Sequence, residues 1–446
     1  MSHTSIDWER TAAEAAELLS AYIRINTTNP PGNETEGARF LHEVLKREGI
    51  ASEIIESAPG RGSLVSGCTG GAVPEIMLLH HIDVVPAEAG RWQVEPHAGI
   101  VREGEIWGRG ALDCKGLGII ELMAFLLLKR QGLDPGRRIV YAATADEEAG
   151  GAWGVPWLLE HHPEKFQTRH VINEGVGWGL RTGSRNVYLC QVAEKGSCWL
   201  NITFEGRPGH GSIPHAENCV LHMARAMQAL GEYRFGLQCA APVRMLLEAL
   251  AHEQDYMSPE RFLGILDPGR SRETLDAIGD GPMREMLAAL LTNTMVPTVA
   301  KAGTKTNVIP SECVCEIDAR ILPGTTPEEL KALIEQLLAK AGCRGFTVHL
   351  PGGSQASQSP MDTGLYRVLD DAIRGCDPRG MLLPYLSPGA TDSRFFRERG
   401  IVAYGMQFDA SIESNRLIHG HDERISLRHL LFGIRVLYDT LRRFAV

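Results

Sequence analysis

Residues 76–83 read Ile76-Met77-Leu78-Leu79-His80-His81-Ile82-Asp83. Four consecutive apolar residues without polar alternation predict a short strand buried on both faces, as in the middle of a parallel sheet. The pattern recurs downstream. Leu117–Leu128 has helical apolar spacing, Ile139–Ala145 is a second apolar strand, Val155–Leu159 is a short apolar run, and Val171 with Ile172 marks a further strand. Strands alternating with crossover helices predict an α/β fold built on a doubly wound, mostly parallel sheet.

From Gly196 the pattern changes. Strand-like Cys198–Phe204, helix-like Cys219–Leu230, strand-like Val314–Ile321, a helix from Pro327 and strand-like Phe346–Leu350 follow in the order βα then βαβ. That order predicts a smaller α+β domain with helices on one face of an antiparallel sheet. Thr326 and Glu329 are spaced for a capping box with Pro327 at the first helical position, and Leu330, Leu333, Ile334, Leu337 and Leu338 form one apolar face. Ser354–Ser359 reads as a polar linker. Strand-like Ile401–Phe408 then precedes a final helix beyond Ser426. The expected organisation is a main domain over 1–195 and 353–446 with an insertion over 196–352. The insertion is lengthened by a helix-rich stretch, 235–295, in which Ser258-Pro259-Glu260 and Asp280-Gly281-Pro282 read as helix starts.

The chain has 446 residues, enough for two or three domains at roughly 150 residues each. It carries 45 Lys plus Arg against 55 Asp plus Glu, net −10, which opposes attraction to phosphate backbones or anionic lipid and argues against a nucleic-acid partner. The longest apolar stretch, Ile119–Leu128, includes Glu121 and falls short of the ~20 residues a bilayer span needs, so no membrane partner is expected. Met1–Leu19 is acidic and lacks the apolar core of a secretory signal, so a cytoplasmic location is expected. Ten cysteines from Cys68 to Cys376 show no repeated spacing and support neither a disulfide framework nor a four-cysteine zinc site.

Five short segments concentrate the chemistry. In His81-Ile82-Asp83, residues two apart on an extended chain share a side, so Asp83 can orient the His81 imidazole as a metal ligand; a structural His-Asp pair is the alternative. Gly108-Arg109-Gly110-Ala111-Leu112-Asp113-Cys114-Lys115-Gly116 places Asp113 where a loop meets a helix, as a ligand or as a cap. Asp146-Glu147-Glu148 follows a buried strand, where adjacent carboxylates repel unless a cation compensates; a solvated acidic loop is the plainer reading. Glu174 ends another apolar strand, and His419-Gly420-His421-Asp422-Glu423 precedes the last helix. Three of the five fall at carboxyl ends of predicted parallel strands, where open α/β sheets build their sites. Two histidines and three carboxylates suit two divalent ions, zinc above all, though cobalt or manganese can use the same ligands.

At these residues the chain resembles the co-catalytic di-zinc amidohydrolases and exopeptidases that include aminoacylase, carboxypeptidase G, acetylornithine deacetylase, succinyl-diaminopimelate desuccinylase and carboxypeptidase S. The resemblance implies that His81 and Glu174 hold one zinc, Glu148 and His419 the other, and that Asp113 bridges them. It implies that Glu147 is the general base, that Asp83 supports His81, and that His421 is a spectator. His80 is read as structural, because strand alternation turns it away from His81. The insertion resembles the family's ferredoxin-like lid and dimerisation domain. There His210 would stabilise the oxyanion in the partner subunit's site, and Asn307 and Arg320 would hold substrate, Arg320 through its bidentate fork. Gly389 and Thr391 match a loop that lines the substrate pocket. Pro208-Gly209 before His210 and the long 235–295 stretch depart from many members and resemble the carboxypeptidase S-like branch.

The implied activity is hydrolysis of the amide bond of an N-acyl amino acid or short peptide with a free carboxylate, by a homodimer using water activated between two zinc ions. A dipeptidase or carboxypeptidase of the same family is one alternative, and a non-catalytic binder of amino-acid conjugates is another. Leu246, Leu247, Leu250, Phe262, Leu263, Leu287, Leu290 and Leu291 either line a pocket for an apolar acyl group or pack the insertion's own helices. Cys114, beside Asp113, reads as a buried inert thiol or a redox-sensitive one.

Overall fold

The structure is a computed structural model. It describes residues 5–67, 73–133, 135, 138–175, 180–181, 184–253, 257–279, 281–409 and 416–445; Cys68 and Asp280 lie outside the described residues. The chain forms two compact units, one from residues 1–192, 359–385 and 391–446 and the other from 193–358 and 386–390.

In the first unit the strand Ile76–His81 is fully buried and pairs in parallel with Ile139–Thr144 on one side and His170–Glu174 on the other; Val402–Met406 extends the parallel set. These runs have no polar alternation because helices cover both faces of the sheet. The flanks are antiparallel: Gly62–Ser66 joins Ile139–Thr144 and carries Ser52–Glu56, while on the other side Asn186–Glu194 joins Val402–Met406. Gly380–Ser387 also pairs with Asn186–Glu194. The fold is thus α/β, with a parallel centre and antiparallel margins. The helix Lys115–Arg130 is buried from Lys115 through Leu128 and packs between Trp8–Ile23 and Leu427–Phe444. Its close approach to the sheet requires Gly118, where an added Cβ would lie 2.4 Å from the His80 ring. A small sheet, Arg424–Ser426 on Glu105–Trp107 on Ile100–Arg102, ties the C-terminal segment to the loop that follows Trp107.

The second unit is a four-stranded antiparallel sheet in the order Thr294–Ala302, Glu312–Ile321, Gly196–Glu205, Phe346–Gly353. Burial alternates along Gly196–Glu205 and Glu312–Ile321, and the inward residues meet the helices Cys219–Glu232 and Pro327–Lys340 in one core. The capping box at Thr326 forms as its spacing predicts. The edge strand Thr294–Ala302 has no clean sequence signal, because Pro297 and a bulge between Pro297 and Val299 interrupt its alternation. Ser357–Gln358, inside the stretch read as a linker, pairs with Ala193 and Glu194. Leu246, Leu247, Leu250, Phe262, Leu287, Leu290 and Leu291 are buried among the insertion's helices, with Leu263 half-buried, which favours packing over an acyl pocket.

Candidate metal centre

Because the Ile76, Ile139 and His170 strands are parallel neighbours, their carboxyl ends lie side by side. His81 ends the first strand and pairs in register with Thr144, and Glu174 ends the third. Glu147 and Glu148 lie in a single 3-10 turn just beyond Thr144. Asp113 enters from the loop ahead of Lys115–Arg130, and its two oxygens divide: Oδ1 is 3.0 Å from His81 Nε2, Oδ2 is 3.0 Å from His419 Nε2. His419 Nε2 is also 3.2 Å from Glu148 Oε2, and His81 Nε2 is 3.6 Å from Glu174 Oε2. Two potential ligand groups result, one of His81, Asp113, Cys114 and Glu174 and the other of Asp113, Glu148 and His419, sharing Asp113. His81 Nδ1 donates to the Asp83 carbonyl at 2.9 Å, which leaves Nε2 to face the centre.

Glu423 organises the Asp113 loop. Its carboxylate accepts from the backbone N–H of Gly110, Leu112 and Asp113 at 3.1, 2.7 and 3.1 Å and from Arg109 Nη1 at 2.7 Å. Arg109 also donates to the Gly420 carbonyl and lies over the Trp92 ring. Lys115 Nζ is buried and donates to the Ile25 and Tyr22 carbonyls, anchoring the same loop to the end of Trp8–Ile23.

A second set of partners supports the Glu147–Glu148 turn. Asp83 Oδ1 accepts from Glu147 N and Asp83 Oδ2 from Glu148 N, both at 3.1 Å, and Asn29 Nδ2 donates to Asp83 Oδ2 at 2.8 Å. Asp146, which opens the turn, holds a left-handed backbone at φ 72°. That conformation costs a residue other than glycine about 1–2 kcal/mol, and Asp146 side-chain bonds to Trp153 N and Asn29 Nδ2 offset it. Sequence reading missed Asn29 and Arg61, and it singled out Asp146 only as one of three adjacent carboxylates. The segment Asn29-Pro30-Pro31-Gly32 marks a tight turn, but nothing in one sequence says which strand edge it reaches.

The electrostatics favour a cation. Burial, with Asp113 nearby, pushes Glu174 up to about 7, and burial with Glu174, Asp392 and Glu148 nearby pushes Glu147 well up. Hydrogen bonds to Asp113 and Glu148 raise His419 to about 10. Glu148 Oε1 is buried without a hydrogen-bond partner. Carboxylates in excess over imidazoles, with a buried carboxylate oxygen that has no hydrogen-bond partner, are the donor set that divalent ions satisfy. Cys114 fits less well: its Sγ bonds the His81 backbone N–H and carbonyl, and burial pushes its thiol up, which disfavours the thiolate.

His421 is exposed and belongs to neither group. His80 points away from His81 and pairs with Glu121 at 3.2 Å in full burial. Burial lowers His80 to about 3 and raises Glu121, so the pair is neutral. In the second unit His210 lies on the exposed two-residue strand Gly209–His210, paired with Val308–Ile309, and its Nδ1 contacts Ser212 Oγ at 2.7 Å. Asn307 is exposed, and its carbonyl accepts from Gly211 N at 2.8 Å. Arg320 forks onto Asp318 at 2.8 and 3.1 Å. Gly389 N donates to Ser387 Oγ at 3.0 Å, and Thr391 is buried, its Oγ1 accepting from Ser393 N at 3.2 Å.

Comparison with known proteins agrees with this architecture. A family model described as "Peptidase family M20/M25/M40" matches residues 77–443. The N-fatty-acyl-amino acid synthase/hydrolase PM20D1 of Xenopus tropicalis is 29% identical over 94% of this chain and 83% of its own length. Aminoacylase-1 of Sus scrofa is 26% identical over 96% and 94%. A solved M20 family metallo-carboxypeptidase from Sulfolobus solfataricus shares the fold at a TM-score of 0.70 and 19% identity, covering 97% of this chain and 99% of its own. The chain is a hydrolytic enzyme and belongs to peptidase family M20/M25/M40.

Proposed function

We propose that this protein hydrolyses the amide bond of N-acyl amino acids that carry a free carboxylate, using two zinc ions. The observation that carries the reading is the division of Asp113, one oxygen toward His81 and the other toward His419, as a carboxylate shared by two ions requires. His81 and Glu174 would complete one site and Glu148 and His419 the other. Bound there, the ions would supply Lewis acidity and lower the pKa of a water. Glu147 belongs to neither ligand group, yet adjoins Glu148 in the same turn. Its carboxylate takes the proton of the attacking water and returns it to the departing amine nitrogen. Asp83 keeps His81 and the Glu147–Glu148 turn in place.

His210 of the partner subunit donates to the oxyanion across a homodimer, and Asn307 and Arg320 anchor the substrate carboxylate once Arg320 exchanges Asp318 for it. Gly389 and Thr391 line the pocket. The likeness to an N-fatty-acyl-amino acid synthase/hydrolase and to an aminoacylase favours this class over dipeptides. The test is metal content and hydrolysis measured on one preparation, with N-acetyl and long-chain N-acyl amino acids and dipeptides, with and without added zinc or cobalt. Two metals per chain and metal-dependent cleavage of acyl amino acids are expected. Preferred cleavage of dipeptides shifts the assignment to a peptidase, binding without turnover shifts it to a binder, and absence of metal overturns it.

A further inference from the structure

We infer that Arg61 is a positioning residue of the metal centre, holding the Glu147–Glu148 turn through Asn29 and Asp146. This rests on the two-ion reading above and goes beyond it, since Arg61 touches no candidate ligand.

The segment 29–34 wraps the guanidinium. Arg61 Nη2 donates to Asn29 Oδ1 at 3.0 Å and lies 3.0 Å from Asp146 Oδ1, while Nη1 bonds Glu34 Oε1. Gly32 leaves the space: an added Cβ there would fall 1.9 Å from Nη1. The three side chains are 13% exposed for Arg61, 0% for Glu34 and 3% for Asp146, so the contacts are shielded from water. Asn29 then relays the position. Its carbonyl oxygen is taken by Arg61, which turns its amide nitrogen toward Asp83 Oδ2 at 2.8 Å and Asp146 Oδ1 at 3.1 Å. Asp83 in turn accepts the N–H groups of both Glu147 and Glu148.

The chain of contacts runs to one half of the centre. His81 and Glu174 end their own strands, and His81 Nδ1 bonds the backbone carbonyl of Asp83 at 2.9 Å, closer than the Asp83 carboxylate at 3.6 Å, which is the part that Asn29 holds. Glu148 sits on a turn whose first residue, Asp146, has a left-handed backbone held by these bonds. Loss of Arg61 is therefore felt more at the ion held by Glu148 and His419 and at the base Glu147 than at the ion held by His81 and Glu174, since Asp83 meets His81 mainly through its backbone carbonyl. A purely structural staple would loosen both halves alike.

The test titrates metal-free protein with cobalt, following visible absorption, and measures kcat and KM on the loaded enzyme. Two variants are used: Arg61→Lys, which keeps the charge but loses the fork, and Arg61→Met combined with Glu34→Gln, which removes the pair without a net change in charge. The double variant decides if Arg61→Lys fails to fold. The expected result is a first cobalt equivalent bound nearly as in wild type and a second bound at least ~10-fold more weakly, in the range typical for residues supporting a ligand. A kcat lowered ~10-fold or more with KM within about two-fold should accompany it. Wild-type affinity for both equivalents overturns the inference, as does equal weakening of both in step with a lower melting temperature. Wild-type protein that binds fewer than two equivalents overturns the two-ion reading itself.

Discussion

The carboxyl edge of the main sheet and the Gly209–His210 ribbon of the insertion carry their candidate residues in opposite ways. At the sheet edge His81, Asp113 and Glu174 are buried or half-buried, and the Asp113 loop and Glu147–Glu148 turn are each held by a carboxylate that accepts several backbone N–H groups. On the ribbon His210 and Asn307 are exposed, and backbone contacts join the 209–212 segment to the 307–309 segment beside it. The difference teaches where rigidity is needed. Under the proposed function, ligands that share one carboxylate gain from preorganisation, and the exposure of His210 leaves it free to meet a substrate.

Chelation is the strongest way to break this comparison. Metal removal is expected to abolish hydrolysis, and zinc or cobalt to restore it, with a lower melting temperature for the metal-free form because ligands of the folded state stabilise it. Glu147→Gln should keep both metals, by elemental analysis, and lower kcat by about 10³-fold. Full activity in that variant would remove Glu147 from the mechanism. His210→Ala should lower kcat by roughly 10²-fold with metal content unchanged, the cost of losing one oxyanion donor. An unaltered kcat would restrict the site to the main unit.

Stability sharpens the same contrast. Arg109→Met leaves Glu423 buried without its cation and is expected to cost about 3–5 kcal/mol by urea unfolding. Thr326→Ala removes a cap from an outer helix of the insertion and should cost only about 1 kcal/mol, with kcat unchanged. Lys195 supplies a pH signature: burial, with Arg320 second, pushes it down to about 7, while its Nζ donates to the Thr292 carbonyl at 2.6 Å. Its folded pKa lies below the ordinary 10.5, so between these values the unfolded chain binds more protons and stability rises with pH. Lys195→Met should flatten that rise, and an unchanged slope would assign it to other groups.

Much of this was legible in the residues. Apolar runs without alternation placed the central strands at Ile76, Ile139 and Val171, because burial on both faces leaves no polar position. The motif residues His81, Asp113, Glu148, Glu174 and His419 were readable as types suited to a divalent ion, and the structure brings all five into two groups that share Asp113. The flanking strands were less legible, since Pro297 and a bulge break the alternation of Thr294–Ala302 and antiparallel margins carry mixed residues. Asn29 and Arg61 carried no local signal, as a buried arginine and a surface arginine are spelled alike.

By itself, the sequence determined the α/β class, three of the four strands of the second unit's sheet with the two helices that cover it, and the inventory of candidate ligands, because periodicity and side-chain chemistry are local properties. Only the tertiary structure decided that Glu423 holds the Asp113 loop from more than three hundred residues away, that Asp83 faces the Glu147–Glu148 turn, and that Arg61 turns inward onto Glu34 and Asp146. Those contacts depend on which strands lie side by side, and strand order is settled by packing the whole core rather than by any stretch of neighbouring residues.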